Sequence, residues 1–456
     1  MIGKYLALAI VVSILVTASD PYFGSDLSWY ETPKEEIGDV RETAWKSPHS
    51  VRPYLTDRDN RVDDTFQVSP YYYPNVAFWF LIYTQFESSS VVLHDKNNLS
   101  LIYKVLDFSS LHAKKMHRNT IYVLQDKISD DKKSALREEL EELAKDPYSM
   151  SPSAKRMYRI LKQANIDLPI KKSDRSLFFT ELKNNLRTQT GQKNFIRDGV
   201  IRSLPYQHFL SNYLSDRKLP KELLAIPFLE SSFNPKAHSK VNALGVWQFM
   251  PLIASYFVPK RTTKTDYRSN VGVSSVAASF LLAENFKIMK SWDLAVTAYN
   301  SGTKHLLKTK RELASTISDI DLEAVIKHSD SQHFGFASKN FYSEFLALAH
   351  TLAYREELFE GIHQHDRPDV DQDLNFFMAK CSLKLPQALN ENELDDVQFH
   401  NHHLSNLKEQ LPRGFILTTK GILPKSKFFQ VSYKDLLKTK PKDWDNLIKR
   451  QSCSTK

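Results

Sequence analysis

The 456-residue chain reads as mainly α-helical, and three features predict that class. Between Leu111 and Leu182 apolar residues return every three or four positions. This is clearest in SALREELEEL from Ser134 to Leu143, where charges fill the gaps and Pro147 sets the end. Ser274 to Met289 is an alanine-rich helical stretch, and Trp292 to Tyr299 is another. Leu223, Leu224, Ile226 and Phe228, after Pro220, form a segment too apolar for a surface helix.

Taken in order, residues 19–69 mix Asp, Arg, Pro and Ser without periodicity and read as a linker or loosely packed arm. The aromatic run from Val76 to Tyr83 suits a buried helix better than a membrane or carbohydrate platform. Ser90–His94 and Ile102–Leu106, on either side of Asp95-Lys96-Asn97-Asn98, predict a hairpin. Asp373 to Leu385 reads as a helix stopped by Pro386. The last thirty-odd residues, rich in Lys and Pro, read as a basic tail.

Length allows two or three domains, and an apolar share of 41% supports real cores. A net charge of +9 favours an anionic partner: nucleic acid, an acidic membrane surface or a carboxylate-rich wall polymer. Lys4 followed by the apolar run Leu6–Val16 and the small residues to Ala18 reads as an export signal, with an uncleaved anchor as the alternative. Export argues against nucleic acid. No cysteine follows the apolar run, so a lipid-anchored form is not expected. Cys381 and Cys453 lie far apart and are expected as free thiols. His400, His402 and His403 read as a plain polar loop, and neither metal nor cofactor is expected.

The stretch from Leu219 to Pro251 carries the chemistry. Pro220 suits a first helical position, Glu222 a first turn, and Pro227 should bend the segment late. Glu230 ends the apolar run. Alone it is an ordinary glutamate at a helix end. A carboxyl left poorly solvated there keeps its proton near neutral pH, which a general acid requires.

Three blocks then follow in order: Glu230-Ser231, Gly245-Val246-Trp247-Gln248, and Ala298-Tyr299-Asn300. Together they resemble the signature of the soluble-lytic-transglycosylase catalytic domain, glycoside hydrolase family 23. GQKNFIRDGVIRSLPYQHFL, between Arg187 and Leu214, resembles the helical lead-in of one subgroup. The resemblance implies a lysozyme-like α+β catalytic domain at 186–360. A mostly helical region (70–185) would precede it, and a degenerate LysM-like module (361–420) and the tail (421–456) would follow. Residues 1–18 would be the signal peptide and 19–69 the arm. It also implies non-hydrolytic cleavage of the MurNAc–GlcNAc bond of peptidoglycan in the periplasm by a monomer, with peripheral membrane or wall association left open.

In that reading Glu230 protonates the leaving oxygen and then, ionised, takes the C6-hydroxyl proton. Most glycosidases need two carboxylates. Here the substrate's own 2-acetamido group replaces the second. Ser231 would donate to the substrate or to the acid's surroundings, and Gln248 would both donate to and accept from sugar groups. Tyr299 would orient Glu230, and Asn300 would brace the turn or touch sugar. Tyr342, next to Phe341 on the closing helix, would face the cleft if Phe341 does not. Trp247 is favoured as core. Asn242 stands where relatives have glycine and suits a left-handed turn. Asp266, Arg268 and Asn270 read as a structural loop network. The alternatives are a muramidase, with Asp266 or Asp293 placing a water, and a catalytically silent peptidoglycan-binding scaffold.

Overall fold

The computed structural model describes residues 40–43, 51–260, 265–314, 320–329, 334–362, 373–404 and 406–453. The expected signal peptide lies outside them. The described parts fall into two compact units, one of Val62–Phe66 with Arg197–Lys456 and the other within Ser19–Arg61 and Gln67–Ile196.

The second of these is a four-stranded antiparallel sheet packed with helices. Its elements are β1 (Arg41–Thr43), α1 (Tyr73–Thr84), β2 (Ser90–Asp95), β3 (Ile102–Asp107), α2 (Arg118–Lys145), α3 (Pro152–Gln163), α4 (Lys172–Asn185) and β4 (Leu186–Thr190). The strand order is β1-β3-β2-β4. The expected hairpin is β2–β3, with Val92 opposite Val105, and Asp95 Oδ1 turns the loop by accepting from the Asn97 and Asn98 N–H groups at 2.8 and 2.9 Å. The aromatic run is α1, buried from Val76 to Tyr83. Leu136, Leu140 and Leu143 of α2 pack with Val91, Leu93, Met157 and Phe179 in one core, so the spacing of three and four marks the inward stripe.

In the other unit α5 (Lys193–Asp216) leads to a 3-10 turn, Lys221–Ala225, and then to α6 (Ile226–Ser231). Pro227 therefore does not bend a long helix. It sits in the first turn of α6, where its missing N–H has no partner to lose. Next come α7 (Pro251–Ala254), α8 (Val271–Met289), α9 (Trp292–Ser301), α10 (Thr303–Leu313), α11 (Leu322–His328) and α12 (Phe336–Ala353). Asn270 Oδ1 caps α8 by accepting from Val273 N–H at 2.8 Å. By length and composition α8 is apolar enough to cross a membrane, yet Val271 to Ser279 are all buried in the unit.

The expectation of a loose arm fails at Val62–Phe66. Phe66 is buried, with its ring edge-on to Phe345 at 5.4 Å, and Glu222 accepts from the Asp63 N–H at 3.1 Å. The helix expected from Asp373 to Leu385 is instead strand β5 (Asn375–Ala379). It lies between β6 (Ile416–Thr419) and β7 (Phe428–Gln430), with α13 (Glu391–His400) in the connection. The tail is not free either: α14 (Tyr433–Lys438) follows β7, Trp444 is fully buried, and Cys453 forms a disulfide with Cys381.

Candidate active site

Glu230 stands on the last turn of α6, and its helix is fixed from behind. A Cβ on Gly199 would meet Ser232 O at 2.5 Å, so α5 approaches that closely only through glycine. Arg202 donates from Nη2 to Ser232 O at 2.6 Å and from Nε to Phe233 O at 3.3 Å. Ser232 and Phe233 are both left-handed, with φ of 50° and 56°, which ends α6 sharply after the carboxylate. The lead-in GVIRS held the signal for Gly199 and Arg202, but only the fold shows that they grip this turn.

Glu230 is half-buried, and neither a hydrogen bond nor an ion pair reaches its carboxyl among the described residues. Burial alone pushes its pKa up from 4.5 to about 8, with no contribution from a charged neighbour. Glu230 lies within electrostatic reach of Tyr299. The Tyr299 hydroxyl is raised well above its ordinary value, first by burial and then by the Glu230 charge.

The second block is a loop whose backbone is clamped on every side. Gly245 has φ +82°, and a Cβ there would lie 1.9 Å from Arg268 O, so no other residue fits. Asn242 takes the left-handed turn with φ 70°, as its residue type suggested. The buried Arg268, ion-paired to Asp266, donates from Nη1 to Asn242 O at 2.7 Å and to Phe249 O at 2.8 Å. Trp247 is core, its Nε1 donating to Ser275 Oγ at 2.8 Å.

The motif residues join this clamp. Ser231 is fully buried. Its Oγ lies 3.0 Å from Pro227 O and 2.9 Å from Val246 O, sharing its one proton between them, and accepts from Asn234 N–H at 3.0 Å. It is therefore unavailable as a donor to substrate. Gln248 Nε2 donates to Ala237 O at 3.0 Å and to Gly245 O at 2.8 Å, so both amide protons are spent and only Oε1 remains to accept. Tyr299 gives its proton to Trp247 O at 2.7 Å, not to Glu230. Asn300 Oδ1 accepts from Ser338 Oγ at 3.0 Å, bracing α9 against α12. Tyr342 and Phe341 are both buried. Tyr342 stacks with Phe345 at 5.9 Å, and its hydroxyl is raised by burial and then by Asp293, so an open cleft position does not describe it.

Asp266 is engaged by Arg268, and Asn270 caps α8 and donates to Asn401 Oδ1 at 3.1 Å, as a structural network would. Two cavities of this unit lie elsewhere. One, about 290 Å³, is lined by Asn212, Ser215, Asp216, Asp373 and Tyr433; the other, about 420 Å³, lies beside Tyr267 and Phe415. Neither is lined by the desolvated acid, so chemistry rather than volume selects this site.

Fold and site thus define a helical domain that holds one desolvated carboxyl beside a backbone-clamped loop. Residues 209–319 match the family model described as Transglycosylase SLT domain, and that segment is such a domain. Over 117 residues, 25% of this chain and 26% of the relative, the sequence is 34% identical to "Membrane-bound lytic murein transglycosylase D" of Escherichia coli (strain K12). Over 108 residues, 24% of this chain and 52% of the relative, it is 34% identical to "Putative tributyltin chloride resistance protein" of Alteromonas sp. (strain M-1). The chain thus spans about a quarter of the Escherichia coli relative's length.

Proposed function

We propose that the protein is a peptidoglycan lytic transglycosylase with Glu230 as its one catalytic residue. The observation that carries this reading is the Glu230 carboxyl, raised to about 8 by burial, with no charged group among the described residues contributing to the shift. Such a group enters the reaction protonated. It gives its proton to the glycosidic oxygen leaving with GlcNAc, while the 2-acetamido oxygen of MurNAc bonds to the anomeric carbon. The Glu230 carboxylate then takes the C6-hydroxyl proton. O6 bonds to the anomeric carbon as the acetamido oxygen departs, giving the 1,6-anhydro ring without consuming water.

Ser231, the two Gln248 N–H groups and the Tyr299 hydroxyl act by holding the loop that faces the acid. Gln248 Oε1 is left to accept from a sugar hydroxyl or acetamido N–H, and Asn300 braces its helix. Burial of Tyr342 makes it a wall of the domain rather than a sugar contact. A hydrolytic muramidase is less well supported, because Asp266 is held by Arg268 and Asp293 spends a carboxylate oxygen on Leu294 N–H at 2.7 Å. For the C-terminal module, only the sequence likeness supports a LysM-like sugar site. Asn401 and His403 are buried packing groups there. The export signal read from the sequence and the printed name of the Escherichia coli relative support an envelope location.

Digestion of purified sacculi with product mass analysis tests the reading. Anhydro-ended muropeptides are expected from the wild type, with a rate about a thousandfold lower for Glu230→Gln. Reducing ends would point to the muramidase instead. Equal digestion by both proteins would remove Glu230 from the mechanism.

A further inference from the structure

From Ser231 to Thr265 the chain contains no Asp or Glu but five cations, Lys236, Lys240, Lys260, Arg261 and Lys264. Within this acid-free stretch, α7 and the turn after it expose apolar side chains in a cluster. Met250 is 39% exposed, Leu252 65%, Ile253 39% and Tyr256 54%. Single exposed apolar residues are ordinary, but four within seven positions call for a covering partner.

The cluster is built on a firm base. Ala254 N–H bonds Met250 O at 2.9 Å and Ser255 N–H bonds Pro251 O at 3.2 Å, so the backbone makes one closed turn. Leu252 and Tyr256, four apart, share a side of it, with Ile253 adjacent. Ala254, Phe257 and Val258 are buried and anchor the other side. Lys260 is exposed just beyond. Lys236 and Lys240 are exposed on the loop tied to Gln248 through Ala237 O at 3.0 Å. The next acid in sequence, Asp266, is already paired with Arg268.

We infer that α7 is a docking knob for an anionic phospholipid surface. Leu252 and Ile253 enter the acyl boundary, Tyr256 sits at headgroup level, and the exposed Lys260 that follows them faces the phosphates. Three of the four exposed side chains, Met250, Leu252 and Ile253, offer neither hydrogen bonds nor a flat face to a glycan, whereas a lipid surface matches these tips, takes an aromatic such as Tyr256 at its headgroup level and attracts the charge. The docking does not depend on the catalytic reading. If that reading holds, the knob keeps Gln248, three residues before Pro251, at the membrane surface.

The test uses the full chain with an environment-sensitive fluorophore on Leu252→Cys, the two native cysteines being paired. Ile170→Cys, at a position 89% exposed in the other unit, is the control. Vesicles of phosphatidylglycerol and phosphatidylethanolamine are expected to raise and blue-shift the signal at 252 but not at 170. Phosphatidylcholine vesicles and high salt are expected to give little response. In the chain labelled at Ile170→Cys, changing Leu252, Ile253 and Tyr256 together to serine is expected to abolish the vesicle-induced loss of label mobility and to weaken co-sedimentation with anionic vesicles by about 100-fold. Three results would overturn the inference: no response at 252 with anionic vesicles, a response to isolated sacculi alone, or a concentration-dependent response without vesicles. The second would assign the knob to the wall polymer and the third to a second copy of the chain.

Discussion

Burial of Glu230 favours its protonated form, which is the form the proposed reaction needs. Its pKa in the fold, about 8, lies above the ordinary 4.5, so the native state favours the protonated form. That advantage is complete below 4.5 and is lost as pH rises through 8. Two outcomes follow. The rate of glycan cleavage should be flat through neutral pH and fall as pH passes about 8, because the acid loses its proton. Stability of the wild type should also fall across that window, by up to ~1.4 kcal/mol per pH unit, while Glu230→Gln shows a shallower slope. Urea melts of both proteins at pH 5 and pH 8 check it, the variant gaining relative to the wild type at the higher pH. Glu230 was singled out by the three blocks taken together, Glu230-Ser231, Gly245-Val246-Trp247-Gln248 and Ala298-Tyr299-Asn300, because a carboxyl ending an apolar run is by itself an ordinary helix-end glutamate. The tasks of Ser231, Gln248 and Tyr299 were not legible in the sequence, because their partners are the carbonyls of Val246, Gly245 and Trp247, which come within reach only after folding.

At the scale of elements, the loop from Asn242 to Phe249 behaves as one part. Carbonyls of Asn242, Gly245, Val246, Trp247 and Phe249 each accept from a side chain, and those side chains come from α6, α9, the Arg268 turn and the loop itself. Removing one clamp should therefore disturb the whole face presented to Glu230. Gly245→Ala combines a forbidden backbone region with a direct collision with Arg268 O, and should cost about 3 kcal/mol or more, or prevent folding. Ser231→Ala is milder, leaving Val246 O without its donor at a cost of about 1–2 kcal/mol. Melting curves rank the two, and digestion assays should show the Ser231 variant slowed while still folded. Strand β5 marks the limit of periodicity at this scale. Phe376, Phe377, Met378 and Ala379 are all buried, so the strand is covered on both faces and shows no alternation. A short continuous apolar run reads the same for a buried helix as for a buried strand.

Across the molecule, the sequence suggested a LysM-like module (361–420) and a basic tail (421–456), and both fall within the compact unit of Arg197–Lys456. Asn270 Nδ2 reaches Asn401 and Thr418, both at 3.1 Å, and Ile416 N–H donates to the Tyr267 hydroxyl at 2.9 Å. The last residues then run back over the helices. Tyr213 and Arg217 donate to Leu436 O and Leu437 O, both at 2.8 Å, and the buried Trp444 stands edge-on to Phe376 at 5.6 Å. Such a strap is what brings Cys453 to Cys381 across 72 residues of chain, a separation that hides the pair from any local spacing rule. The sequence alone predicts two free thiols, and the pairing overturns that expectation. Closing a loop of that size restricts the unfolded chain by about 4 kcal/mol on the chain-entropy account. Changing Cys381 and Cys453 together to serine should therefore lower Tm by about 10 °C. A reductant should lower the wild type by the same amount and leave the double variant unmoved. If reduction shifts neither protein, the strap is held by Trp444 and its hydrogen bonds alone, and the disulfide adds nothing to stability.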